Sequence, residues 1–248
     1  MDIGNFHLRN VLPLEKYRSI KPWKHTIHMP TPRKKATGKS IGSFCQIIIV
    51  LLDSDPPIWR RLIIPTTANL GWLHAAVQLS MGWTNSHLHQ FLLDEKRYSC
   101  LDHDVSFGEE DPDLLDERKF TIGQLLPSPE PVLIYEYDFG DSWMHAIKVE
   151  KVLESKPAAD QIATCIEGAR ACPPDDCGGV WGYMELLKAL KNRKHPDHKH
   201  MKEWVGGRFD AEAFDMDNTN LWLGNLKWPH TTEAQLRKIL MARDGYRE

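Results

Sequence analysis

Apolar positions begin to recur in order at Phe44. Gln46-Ile47-Ile48-Ile49-Val50-Leu51-Leu52 is apolar at both parities, which predicts a strand covered on both faces. Asp53-Ser54-Asp55-Pro56-Pro57 supplies turn chemistry, because proline fixes φ and carries no N–H. Ile58, Arg60, Leu62 and Ile64 then share one parity as far as Pro65, so the two runs read as a hairpin. Leu70, Leu73, Val77 and Met81 follow at helical spacing, with Thr67 or Asn69 to cap the start and Gly82 to stop it.

His87 to Asp94 and Arg97 to Ser99 predict a second hairpin turning at Glu95-Lys96, with His87 and His89 on one face. Residues 101–119 are acidic and turn-rich, which predicts a surface loop before a short helix at Ile122 to Leu126. Val132 to Tyr137 and Trp143 to Leu153 form a central strand pair. In the second of them Trp143, His145, Ile147 and Val149 share a face opposite Lys148 and Glu150, so His145 points inward. Helical spacing returns at Trp181 to Leu190, Asp197 to Val205 and Thr232 to Ala242, and Asp210 opens a capped turn.

Hairpins come first and helices accumulate late. That segregation predicts an α+β fold, a mostly antiparallel sheet built from hairpins with helices packed on it. The opening hairpin–helix–hairpin order resembles a β-grasp. The expected organisation is a mobile arm over residues 1–42 and a single domain over residues 43–248.

Composition changes this picture little. The chain has 248 residues, 42% of them apolar and 26% charged, enough to bury a core without staples. A net charge of −3 and a pI of about 6.5 argue against a protein whose main work is gripping nucleic acid. The longest apolar run falls far short of the roughly 20 residues of a spanning helix, and the start lacks the order of a signal peptide. Five cysteines, an odd number, argue against a complete disulfide framework. A cytoplasmic protein with reduced thiols and no membrane partner is the expectation.

Candidate chemistry lies between Val132 and Gly182. Asp138-Phe139-Gly140 matches the metal-binding tripeptide of kinases, but no Gly-rich loop, strand lysine or His-Arg-Asp loop accompanies it. Asp138-Phe139-Gly140-Asp141-Ser142 reads better as a turn. Cys165, Cys172 and Cys177 follow C-x6-C-x4-C, and with His145 they offer zinc four soft or borderline ligands. The spacing is wider than that of structural zinc sites, so the competing reading is three packed thiols. No cofactor is demanded, and zinc is the candidate. His87, His89 and His145, with Asp138 or Asp141, would line a pocket for a metal or for acid–base chemistry, or pair within the core. His195, His198 and His200 alternate with lysine and read as a solvated helix start. Arg33, Lys34 and Lys35, with Arg60 and Arg61, are the candidate contacts to nucleic acid.

Four stretches together carry a resemblance. They are Asp55-Pro56-Pro57-Ile58-Trp59-Arg60-Arg61, Leu88-His89-Gln90-Phe91, Tyr137-Asp138-Phe139-Gly140-Asp141-Ser142-Trp143-Met144-His145, and Gly168 to Tyr183 with its Cys172-Pro173-Pro174-Asp175-Asp176-Cys177-Gly178-Gly179 core. In that order they resemble the plasmid pRiA4b ORF-3-like family, over Phe44 to Asn225. The resemblance implies a compact α+β domain, often on plasmids or insertion elements, without an established activity. Some members are labelled resolvase-like. A serine recombinase needs an activated serine among arginines, and a tyrosine recombinase needs an arginine–histidine framework before its tyrosine. Neither pattern is present around Tyr246 or elsewhere.

The reading that results is a non-enzymatic module for a protein or peptide partner, in plasmid or mobile-element biology. Its groove would be walled by the central hairpin and the cysteine segment, through His89, Asp138, Asp141, Trp143, His145, Trp181 and Tyr183. The alternatives are a metal-dependent hydrolase using the same His, Asp and Cys residues, and an accessory nucleic-acid binder.

Overall fold

The computed structural model describes residues 44–101, 113–154, 162–227 and 231–244. The expected arm, with Arg33, Lys34 and Lys35, lies outside the described residues. Strands β1 (Phe44–Leu51) and β2 (Ile58–Pro65) form the first hairpin, pairing Ile47 with Leu62 and Val50 with Trp59. Helix α1 (Leu70–Met81) follows. Asn69 caps it, its Oδ1 accepting from the Trp72 N–H at 2.8 Å, and Gly82 at φ 112° ends it, its N–H donating to Gln78 O.

The next strands are β3 (His89–Leu93), β4 (Lys96–Ser99) and β5 (Leu114–Asp116). A 3-10 turn, Glu117–Lys119, and helix α2 (Ile122–Leu125) lead to β6 (Val132–Tyr137) and β7 (Trp143–Leu153). Strand β8 (Thr164–Ala169) precedes helices α3 (Gly179–Lys191), α4 (His198–Trp204), α5 (Met216–Leu223) and α6 (Glu233–Arg243). The strands make one sheet of eight in the order β5-β4-β3-β6-β7-β1-β2-β8, antiparallel except for β4 beside β5. The expected α+β class with a mostly antiparallel sheet is what is found.

Three expectations are corrected. The strand predicted from His87 begins at His89, so His87 belongs to the loop after α1 and shares no strand face with His89. The acidic stretch before Lys119 holds strand β5, and its Glu117 is buried. No strand was expected between Leu153 and Trp181, yet Cys165 lies in β8, whose mixed burial gives no clean alternation. The first two hairpins also do not pair with each other, because the β6–β7 hairpin lies between them.

One sheet face carries the main core. Ile47, Ile49 and Leu51 of β1, Leu133, Tyr135 and Tyr137 of β6 and Trp143, Ile147 and Val149 of β7 bury beneath α1, with Leu70, Leu73 and Val77 of that helix. A buried Leu or Ile side chain contributes roughly 1.5–3 kcal/mol, so this layer dominates stability. Helix α1 is buried on nearly every side, including His74 and Gln78. No described helix is long and apolar enough to cross a membrane.

Arg60 is the largest charge in that core. Its parity on β2 points it at the end of α1, where Nε donates to Ser80 O at 2.7 Å and Nη2 to Met81 O at 3.5 Å. Nη1 donates to Trp59 O and Ala169 O, and Nη2 also to Arg170 O, each at 2.8 Å. The Phe214 ring lies 4.1 Å beneath the guanidinium. All five N–H donors are engaged by backbone carbonyls, two of them at the C-terminal end of α1, where a cation is favoured. Burial still lowers its pKa from 12.5 to about 10.

Candidate functional site

The candidate residues fall on two sides of the β6–β7 hairpin. Inside, the Tyr135 hydroxyl lies 2.8 Å from His74 Nδ1 and accepts from Gln78 Nε2 at 2.9 Å. His74 Nε2 meets Asn85 Oδ1 at 2.8 Å, and Asn85 Nδ2 donates to Glu233 Oε1 at 2.6 Å. The Glu233 carboxylate needs a donor, so it fixes the Asn85 amide with Oδ1 toward His74. His74 Nε2 therefore donates, and Nδ1 accepts the Tyr135 proton. Gln78 Oε1 closes the set by accepting from the Asn85 N–H at 2.9 Å.

His89 stacks on His74 with ring centroids 3.5 Å apart and planes 4° from parallel, and its Nε2 lies 2.8 Å from Glu117 Oε2. His145 is 0% exposed, and its Nδ1 donates to Trp143 O at 2.9 Å. Burial pushes its pKa down from 6.5 to about 4, so the ring is neutral at pH 7. Its Nε2 has no hydrogen-bond partner, and the nearest rings are Tyr135 at 5.5 Å and Trp83 at 6.4 Å. This face is a polar core held in register by its own partners.

Outside, three loops converge. The turn at residues 138–142 is set by Asp138 at φ 58°, whose N–H donates to Leu88 O at 2.9 Å and whose Oδ1 accepts from Gly140 N–H at 2.9 Å. Asp141 Oδ2 accepts from Gly178 N–H at 3.1 Å. Beside it Gly179, at φ +66°, lies so close that a Cβ would sit 2.4 Å from Asp141 O. Only glycine fits there, and this contact seats the start of α3 on the turn. Thr84 donates to Asp175 Oδ2, and Ser86 N–H donates to the Tyr137 hydroxyl at 3.0 Å, tying in the loop after α1.

His87 stands in this junction. Its Nε2 is 3.7 Å from Asp138 Oδ2 and 3.4 Å from Asp176 Oδ1. Among the described residues these three make the one group of three or more His, Cys, Asp or Glu whose ligand atoms all lie within 4.8 Å of one another. Two aromatic side chains stand out from the same junction: Phe139, 46% exposed at the tip of the turn, and Trp181, 84% exposed on the first turn of α3.

The candidates named from sequence therefore separate. His89, Trp143 and His145 face inward beneath α1, while Asp138 and Asp141 shape the outer turn and Trp181 stands exposed on the first turn of the helix seated on it. Tyr183 is buried, its ring edge-on to Phe209 at 6.1 Å. Cys165, Cys172 and Cys177 do not gather around His145. Cys165 Sγ lies 3.4 Å from Glu167 O, Cys172 packs beside Gly82, and Cys177 neighbours Asp141. Burial raises all three thiols, Cys177 to about 12, as expected of packed thiols. None of the five cysteines forms a disulfide. His198 Nδ1 bonds Ala189 O at 2.8 Å and so caps the end of α3.

Arg60 has no donor left for a phosphate. Arg61, on the other sheet face, is forked onto Glu150 at 2.7 and 2.9 Å and also pairs with Glu167. Both offers of a nucleic-acid contact are thereby taken up within the sheet. A cleft of about 400 Å³ lies beside Arg60, lined also by Met81, Cys172, Phe214, Trp222 and Arg243. Asp176, Glu117 and His74 were not singled out by sequence. The Asp175-Asp176 pair beside the Pro-Pro and Gly-Gly steps was the available signal for the first; the other two are brought in only by the tertiary fold.

The profile of the Plasmid pRiA4b ORF-3-like protein family matches residues 43–218. The chain belongs to this family. The pRiA4b ORF-3-like segment contains His87, Asp138, Phe139, Asp176 and Trp181, so the whole outer junction falls within it, whereas Glu233 and Arg243 of α6 lie beyond. An uncharacterized protein of Sinorhizobium fredii, y4hQ, is 32% identical over 192 residues, covering 76% of this chain and 95% of that one. The crystal structure of a protein of unknown function, MM3350 from Methanosarcina mazei Go1, is similar with a TM-score of 0.63 and 32% identity, over 71% of this chain and 96% of that one.

Proposed function

We propose that the protein is a non-enzymatic binding module for a protein or peptide partner, and that it docks through the outer junction. Trp181 carries this reading. It is the most exposed large apolar side chain among the described residues, while Trp72, Trp83 and Trp143 are fully buried. Covering a tryptophan removes roughly 150–250 Å² of surface from water, and exposed aromatic anchors dominate docking energies. Trp181 is also held in place, because Gly178 and Gly179 fix the start of α3 on Asp141. Phe139, two residues from Asp141, adds a second anchor to the same junction. Little ordering is then needed on binding, which is what preorganisation supplies.

A hydrolase built on the expected histidines is disfavoured by position. His89 and His145 are closed in beneath α1, out of a substrate's reach, and His145 is held neutral by burial. Selection of a random peptide library on the full chain tests the docking reading. Enriched peptides are expected to lose at least about 30-fold in affinity for the Trp181→Ala, Phe139→Ala variant, the loss of a 2 kcal/mol anchor. Peptides that bind this variant as well as the unaltered chain would overturn it.

A further inference from the structure

The Phe139 and Trp181 anchors leave His87, Asp138 and Asp176 without a role. We propose that His87 Nε2, Asp138 Oδ2 and Asp176 Oδ1 bind one divalent transition-metal cation, zinc in the first place, which ties the three loops of the junction together.

Three observations lead there. First, His87 Nε2 is shut off from solvent and has no hydrogen-bond partner, although two carboxylate oxygens stand 3.4 and 3.7 Å away. Neither carboxylate makes a hydrogen bond to the ring at those separations. The separations suit ligands that share an ion: tetrahedral arms of about 2.1 Å place their ends about 3.4 Å apart. Second, the Asp138 side chain is only 10% exposed, and it is oriented by Gly140 N–H on Oδ1. Its Oδ2 accepts no hydrogen bond among the described residues and faces His87. A carboxylate buried this far and braced on its far oxygen is the arrangement found behind metal ligands. Third, the neighbouring Asp175 accepts from Thr84 on Oδ2, while its Oδ1 is buried without a hydrogen-bond partner among the described residues, a second polar atom left over beside the ring.

The donor set selects the metal. One imidazole and two carboxylates suit zinc, manganese or ferrous iron, whereas calcium and magnesium favour oxygen alone. The ligands come from the loop after α1, the β6–β7 turn and the segment before α3. An ion among them would cross-link the surfaces that carry Phe139 and Trp181. The competing state is His87 standing between the two carboxylates with no metal.

The two are separated by titrating zinc chloride into the full chain, purified without a metal-affinity tag and stripped with chelator, while following heat and Tm. One equivalent is expected to bind, and Tm to rise by about 5–10 °C at a hundredfold excess over Kd. His87→Gln is expected to abolish binding. Asp176→Asn, at a side chain 74% exposed where folding is not in question, is expected to weaken it at least about tenfold. Trp181→Ala is expected to leave it unchanged, so this result stands or falls apart from the docking reading. Absence of saturable zinc binding would overturn the proposal, as would binding that persists undiminished in Asp176→Asn and His87→Gln.

Discussion

His87 and His89 stand two positions apart in the chain and in opposite surroundings. His89, the first residue of β3, lies against His74 at 3.5 Å and meets Glu117 at 2.8 Å under α1. His87, still in the loop, faces two aspartates on the outside of the hairpin with its Nε2 unpartnered. The difference teaches where function can reside here. On the inner face His74, Gln78 and Tyr135 answer one another, and the atoms left without a partner, His145 Nε2 and the Trp83 and Trp143 indole N–H groups, are sealed in the core where no ligand reaches them. On the outer face an imidazole nitrogen, a carboxylate oxygen and two large aromatic surfaces are left for something else.

Inner substitutions are expected to cost stability and spare docking, and truncation of the exposed aromatic side chains outside is expected to do the reverse. The largest effect is expected at Arg60. Arg60→Met leaves buried carbonyls of Trp59, Ser80, Ala169 and Arg170 without their donor, a loss of about 4 kcal/mol of stability, read as a lower urea midpoint at unchanged m. Folded protein recovered from that variant should still bind the selected peptides. Arg60→Lys, which keeps the charge but offers three donors in place of five, should lose about half as much.

His145 gives the next largest effect, and it depends on pH. Burial holds its folded-state pKa near 4 against 6.5 when unfolded. Between those values the unfolded chain binds the extra proton, so this group removes stability as pH falls from 6.5 to 4, roughly 3 kcal/mol in all, and adds no slope above 6.5. Denaturation of His145→Asn across that window should show the slope reduced by this amount.

Gly179→Ala sharpens the comparison at the junction. Its φ of +66° and the 2.4 Å approach to Asp141 O predict a cost of about 2–3 kcal/mol, with peptide affinity falling as α3 shifts. Gly206→Ala, at φ +76° with nothing within 4 Å, should cost only about 1 kcal/mol and leave affinity alone. The smallest change in stability, within about 0.5 kcal/mol, is expected for Trp181→Ala, although it should cost the most affinity.

The sheet was legible because its hairpins carry strong local signals. Asp53 to Pro57 marks a turn, Asn69 and Gly82 bracket α1, and the parity of Trp143, His145, Ile147 and Val149 shows which face is buried. Strand β5 was hidden because it is only three residues long, pairs in parallel with β4 and lies inside a stretch whose composition reads as turns. Parity also failed at His87, since periodicity cannot tell the last loop residue from the first strand residue. At the site, Asp138, Asp141 and Trp181 were legible as turn and aromatic signals. The His74–Tyr135 and His89–Glu117 contacts were not, because nothing local states which helix residue meets which strand residue across 61 or 28 positions.

The most direct measurement follows the indole N–H resonances of the ¹⁵N-labelled full chain, which has nine tryptophans, as a selected peptide is added to saturation. The Trp181 signal, assigned by its loss in Trp181→Ala, is expected to shift while those of the buried Trp72, Trp83 and Trp143 stay in place. A Trp181 signal that does not move while the peptide is bound would contradict the outer junction as the working face of this protein.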